Sequence, residues 1–143
     1  MLPYALTAQD LTGVPASVSL AQAALESGWG KHAPGNNLFG IKGRGPAGTQ
    51  MLNTREYHHG KWIRTRAAFR RYHDFMESFV DHARVVSEGR YLRHAMNHRE
   101  SAQAFVHALQ SGKYRYATDP LYESKLLKLI ANYGLERYDR KEP

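Results

Sequence analysis

Cysteine is absent from the 143 residues, so there is no disulfide framework, thiolate nucleophile or thiolate metal site, and the fold must stand on packing. No run approaches the roughly 18 consecutive apolar residues of a spanning helix. The start, Met1-Leu2-Pro3-Tyr4, lacks the basic-then-apolar layout of a signal peptide. The reading is therefore no membrane span, with export, if it occurs, encoded elsewhere. Internal repeats, low-complexity stretches and long blocks of like charge are missing too; the segment nearest to a linker, Gly43-Arg44-Gly45-Pro46-Ala47-Gly48, reads as a loop inside one domain. Acidic residues are few, 13 against 20 lysines and arginines, which leaves a net charge of +7. Such a surface attracts anionic polymers, whether nucleic acid, acidic lipid headgroups or a bacterial wall, and charge alone does not choose among them.

What is present is enough for a core: 42% of the residues are hydrophobic, and the length suits one domain covering 1–143. Gly13-Val14-Pro15 breaks a first weakly helical segment. Val18, Ala21 and Leu25 then recur at helical spacing until Gly28 and Gly30 end the run, which predicts a buried helix finishing near Glu26. From Ala33 to Gly48 the chain is rich in glycine, asparagine and proline and reads as an ordered loop. Met51–Tyr57 and Trp62–Ala67 flank His58-His59-Gly60-Lys61 and read as a β-hairpin, a lobe of about residues 49–68. Asp74 before Glu77 resembles a capping box, and Phe75, Phe79, Ala83 and Val86 form the face of a helix stopped by Gly89. A further helix is predicted from about Arg99 to Ser111. The last is to be capped by Asp119 with Pro120 in its first turn, and with Tyr122, Leu126, Leu129, Ile130 and Tyr133 inward. Helices around one small hairpin make an α+β, mainly helical domain, a split that leaves a groove between the two parts.

Two carboxylates draw attention. Glu26 ends an apolar helix beside a glycine-flanked tryptophan, Trp29; the helix C-terminus and the apolar neighbours would both raise its pKa, which suits a general acid. Glu56 shares a strand face with Leu52 and Thr54 and could meet Glu26 across the groove. Carboxylates on opposite sides of a cleft are what glycoside hydrolysis needs. The plainer alternatives are a solvated helix-edge glutamate and a strand glutamate paired with Arg55 or Arg64. The eight histidines lack zinc-ligand spacing, so no metal is expected. Trp29, Phe39, Tyr57, Trp62, Tyr114, Tyr116 and Tyr122 could stack on sugar rings or simply fill the core, and Trp29 and Tyr116 stand apart because each lies in a loop. For Arg64-Thr65-Arg66 and Arg70-Arg71, a solvated basic face and an anion-binding face are equally open.

The string Ala24-Leu25-Glu26-Ser27-Gly28-Trp29-Gly30, followed by Asn36-Asn37-Leu38-Phe39-Gly40-Ile41-Lys42, resembles the signature of the bacterial glucosaminidases of glycoside hydrolase family 73, which include the hydrolase domain of flagellar peptidoglycan hydrolases. The likeness continues, in the family's order, through Thr54-Arg55-Glu56-Tyr57, Gly60-Lys61-Trp62, Phe69-Arg70-Arg71-Tyr72 and Tyr116-Ala117-Thr118-Asp119-Pro120-Leu121-Tyr122.

The resemblance implies a lysozyme-like helical body with a β lobe, and cleavage of the β-1,4 bond after N-acetylglucosamine in peptidoglycan without a cofactor. Glu26 matches the family's general acid, Glu56 its β-lobe carboxylate of variable role, and Tyr116 the tyrosine near the reacting sugar. Candidate substrate-binding residues are Trp29, Asn37, Phe39, Tyr57 and Tyr122. The expected partner is the peptidoglycan glycan strand, met by a monomer at the cell wall, with export by flagellar or phage lysis machinery or by a signal outside this chain. Autolysin, phage lysin and flagellar factor remain open as roles. Rival readings are a lytic transglycosylase or muramidase on the same fold, a basic nucleic-acid-binding module, which has no recognisable motif here, and a non-catalytic assembly subunit.

Overall fold

In the computed structural model, which describes residues 1–140, helix α1 (Leu2–Thr12) closes at Gly13, whose φ of 86° is the left-handed conformation that a glycine adopts without strain. Pro15 then starts α2 (Ala16–Ser27), a helix of mostly small residues that is buried on nearly every side. Some of its polar groups bond internally: Ser27 Oγ donates to the Ala23 carbonyl at 2.6 Å and Ser17 Oγ to the Asp139 carboxylate. Around α2 pack α1, α4 (Ala102–Leu109), α5 (Tyr122–Asn132) and the closing 3-10 turn Leu135–Tyr138, while α3 (Phe75–Glu88) packs on α1. Phe79, Phe105, Leu38, Leu109 and Leu126 are the largest apolar side chains sealed in the resulting core. No helix among the described residues is long and apolar enough to cross a membrane.

Capping chemistry sets several boundaries. The Asp74 carboxylate accepts from the Glu77 amide at 2.8 Å, and Glu77 reaches back to the His73 amide at 2.7 Å, one residue earlier than in the usual reciprocal box. Ser101 caps α4 through the Ala104 amide, so that helix is shorter than the Arg99–Ser111 expectation; a separate 3-10 turn, Arg93–Asn97, precedes it. Asp119 does not cap α5. Its carboxylate accepts from the Leu121 amide at 2.9 Å, closing a turn ahead of the helix, and pairs with Lys125 at 2.5 Å, so the helix begins only at Tyr122. Tyr133, expected inward, is exposed just past the helix end.

The lobe is one antiparallel hairpin, β1 (Thr49–His58) and β2 (Lys61–Arg70), longer at both ends than the sequence suggests. His59 and Gly60 turn it with φ of 52° and 78°, the double positive φ of the tight turn that matches strand twist. At the far end the strands extend because the Arg70 amide donates to the Ile41 carbonyl and Phe69 is buried against the body. The register pairs Arg55 with Arg64 and Tyr57 with Trp62. One face therefore carries arginines and aromatics, and the other carries Leu52, Thr54 and Glu56.

Candidate active site

A groove of about 440 Å³ runs between hairpin and body. Its walls are the end of α2 at Glu26, the loop Phe39–Lys42, the strand segment Thr54–Glu56 and the loop Tyr114–Thr118. A larger hollow, about 610 Å³, lies along the arginine side of the hairpin, lined by residues 53–55 and 64–66. Among the described residues no carboxylate lines it, whereas Glu26 and Glu56 both line the groove.

Glu26 occupies the last turn of α2, just before Gly28 and Trp29 turn the chain with φ near 60°. Protein bulk behind the carboxyl withholds solvation, and this burial, with the Asp119 charge adding to it, raises its pKa from 4.5 to about 7; a hydrogen bond from Tyr122 and the Lys125 charge pull the other way. The residue's own surface is nevertheless exposed to the groove. Water standing in the groove screens part of the desolvation, so the upward direction is fixed by the packing while its full size requires the groove to be filled.

Glu56 has the opposite surroundings. Lys42 Nζ lies 2.6 Å from one of its oxygens and His58 Nε2 lies 3.1 Å from the other. Hydrogen bonds from these two hold its carboxyl below the usual carboxylate range. These partners replace the Arg55 or Arg64 pairing that sequence reasoning offered. Lys42 was visible inside the asparagine–glycine loop string, but nothing in local periodicity ties it to a strand residue fourteen positions on.

Tyr116 lines the groove with its hydroxyl sealed from solvent and without a hydrogen-bond partner among the described residues. Burial and the nearby Glu26 charge push its pKa well above 10, so it stays a phenol, able to donate. Its ring stacks on Tyr122 at 5.7 Å and meets His82 edge-on at 6.0 Å.

The remaining candidates divide. Phe39 reaches the groove with one edge but is otherwise core, stacked on His82 and edge-to-face with Phe79. Tyr122 is buried behind Glu26 and does not line the groove. Tyr57 lies on the arginine face against Trp62, and its amide donates to Thr118 Oγ1 at 3.0 Å, tying hairpin to loop. Asn37 is buried, and its amide group is consumed by backbone: Nδ2 donates to the Ile41 and Arg70 carbonyls, and Oδ1 accepts from the Phe39 and Ile41 amides. It shapes the Phe39–Lys42 wall and has no donor left for a ligand. Trp29 packs edge-on against Tyr133 in a separate hollow with Met1 and Leu2; the sharp turn at residues 28–30 swings its ring away from Glu26's groove. Among the described residues, no three histidine, aspartate or glutamate side chains converge as a metal cage.

Residues 2–135 match the family model for glucosaminidase, described as mannosyl-glycoprotein endo-beta-N-acetylglucosaminidase. The chain is 41% identical to an autolysin of Enterococcus faecalis, over 87% of this chain and 18% of that protein. It is 40% identical to the peptidoglycan hydrolase FlgJ of Vibrio cholerae, over 90% of this chain and 40% of that protein. It thus spans well under half the length of these two curated relatives. Among solved structures, the catalytic domain of the autolysin Auto from Listeria monocytogenes superposes with a TM-score of 0.78 at 35% identity, covering 96% of this chain and 82% of that one. With the matched region running from α1 through α5 and taking in both groove carboxylates, the chain belongs to the glucosaminidase family of glycoside hydrolases.

Proposed function

We propose that this chain hydrolyses the β-1,4 bond between N-acetylglucosamine and N-acetylmuramic acid in peptidoglycan glycan strands, with Glu26 as general acid, Glu56 as the ionised partner and Tyr116 as a hydrogen-bond donor to the reacting sugar. The observation that carries this reading is the contrast between the two groove carboxyls: Glu26 backs onto protein bulk that pushes its pKa up, whereas Glu56 is gripped by Lys42 at 2.6 Å and His58 at 3.1 Å, which hold its carboxyl below the usual range. Environments that drive two carboxyls apart assign the acid and the base.

In the mechanism, the glycan fills the groove and displaces the water that reaches Glu26, which strengthens that residue's hold on its proton until the glycosidic oxygen takes it. As the C–O bond breaks, positive charge grows on the sugar ring, and Glu56, held by Lys42 and His58, faces it with a full negative charge. Glu56 is also placed to take a proton from the attacking water. Tyr116, whose hydroxyl is sealed from solvent and has no partner among the described residues, donates to the substrate's acetamido oxygen once glycan binding has moved the Tyr114–Thr118 loop enough to uncover it. No cofactor enters this scheme. A lytic transglycosylase has no water to activate, so an ionised, doubly held Glu56 favours hydrolysis over that rival.

The same reading puts the chain at the cell wall. Arg55, Arg64 and Arg66 have no carboxylate partner among the described residues, and this face suits the anionic wall. The experiment that tests the assignment is turnover of purified peptidoglycan by Glu26→Gln and Glu56→Gln. The first should lose about 10²- to 10⁴-fold, as a lost general acid does. A Glu56→Gln enzyme with undiminished turnover removes that residue from the mechanism.

A further inference from the structure

Behind the groove lies a hydrogen-bonded series that the acid and its partner do not account for. Gln22, one helical turn before Glu26 on α2, is fully buried, and its Nε2 donates to the Tyr122 hydroxyl oxygen at 3.1 Å. Its Oε1 lies 2.8 Å from Nε2 of His82, a fully buried residue of α3. The His82 ring in turn lies flat on Phe39, 3.9 Å between centroids and 14° between planes, so it is held from both sides.

The polarity of this series follows from one orphaned atom. His82 Nδ1 is buried without a partner among the described residues. If Nε2 carries the imidazole proton, that orphan is a bare lone pair. If Gln22 were reversed so that its amide donated to Nε2, the orphan would be a buried N–H with no acceptor, the costlier arrangement. His82 therefore donates to Gln22 Oε1, Gln22 donates to the Tyr122 oxygen, and the Tyr122 proton is left for another acceptor. Glu26 stands one helical turn beyond Gln22 with Tyr122 buried behind it, and Tyr122 is the side chain that most opposes the burial-driven rise in its titration.

On the reading that Glu26 is the acid, we infer that Gln22 and His82 are positioning residues for it, fixing the Tyr122 hydroxyl as a hydrogen-bond donor to the Glu26 carboxyl. That donor stabilises the carboxylate left behind once the proton has gone to the leaving oxygen, and it keeps the acid's titration from climbing further under burial. Burial holds His82 neutral, down to about 3, so the series keeps one polarity across the working range. The other groups acting on Glu26 are Asp119, Lys125 and the un-ionised Tyr116. Lys42, Arg55, Glu56, Arg115 and the phenols Tyr91 and Tyr114 share its groove. None of them hydrogen-bonds Gln22 or His82.

The test is a carbon-13 NMR titration of the Glu26 carboxyl in glutamate-labelled protein, free of substrate, for wild type, Gln22→Met, Tyr122→Phe and the double variant. Loss of the directed donor should move the Glu26 midpoint up by about half to one pH unit in each single variant, and no further in the double. The alkaline limb of kcat should move with it. An unmoved midpoint in folded Gln22→Met overturns the inference, whereas a general loss of packing would lower stability and leave the midpoint in place. A nitrogen-15 spectrum of the wild-type imidazole settles the polarity without any variant: His82 protonated on Nε2 supports the series, and protonation on Nδ1 overturns it, even if Gln22→Met fails to fold. Full activity in Glu26→Gln would instead sink the acid assignment, leaving the NMR result to stand on its own.

Discussion

A residue kept protonated for catalysis is one that the fold disfavours when charged, and Glu26→Gln should reveal that cost as stability. The free carboxyl titrates near 4.5 and the folded one near 7. A difference of that size corresponds to about 3 kcal/mol at 1.36 kcal/mol per pH unit; because the groove is open to water, screening reduces it to about 1–2 kcal/mol. The sign follows from the direction. The folded state binds the proton more tightly, so the stabilising contribution is complete below 4.5 and is lost as the pH rises through about 7. Glutamine keeps the shape and has nothing to titrate. The variant and the wild type should therefore melt together near pH 4, with the variant pulling ahead through neutrality and holding a lead of about 3–7 °C at pH 8 for a domain of this size. Scanning calorimetry of both proteins from pH 4 to 9 measures it. A difference that stays flat with pH, or a variant less stable at pH 8 than the wild type, refutes the argument that burial perturbs this carboxyl.

Tyr116→Phe should lower kcat with little change in KM or melting temperature, since the hydroxyl bonds nothing within the described protein and its bond to substrate tightens in the transition state; steady-state kinetics showing full activity would remove Tyr116 from the site. Lys42→Met removes the first of the two partners that hold the Glu56 carboxyl below the usual range, so the acid limb of the pH–rate profile should shift upward relative to wild type, and an unmoved limb would detach Glu56 from that limb. The hairpin is tied to the body mainly at its base, and residues 53–62 are held to it by the Tyr57–Thr118 bond and the Lys42–Glu56 ion pair, so amides 53–62 should exchange faster than those of α5 in the free protein and slow when a glycan oligomer binds; equal protection in the free state would contradict a closing lobe.

Much of this architecture is legible in the chain because its signals are local. Gly13, Pro15, Gly28, Asp74 and Gly89 punctuate helices where backbone geometry demands them, and His59-Gly60 turns the hairpin through residues that tolerate positive φ. Alternation on β1 places Thr54 and Glu56 on one face, and the groove is lined by both, with Glu26 opposite. Tertiary pairing hides the rest. Asp119 has the chemistry of a cap but spends it on the Leu121 amide and Lys125. Asn37 sits in the most distinctive string, yet the backbone of that same loop and the Arg70 carbonyl at the end of β2 saturate it. Trp29 adjoins Glu26 in sequence and is turned away by three consecutive positive φ angles at residues 28–30. Gln22 and His82, sixty residues apart, give no sign of partnership until α2 and α3 are packed around the same site.

The central claim, hydrolysis at N-acetylglucosamine driven by Glu26 and Glu56, is tested most directly by mass spectrometry of peptidoglycan digested with the wild-type chain, with the Glu26→Gln protein as blank. Fragments ending in reducing N-acetylglucosamine, absent from the blank and carrying one added water per bond cut, are the predicted result. Fragments ending in 1,6-anhydro sugar or in reducing N-acetylmuramic acid, or intact glycan after prolonged incubation, would contradict it.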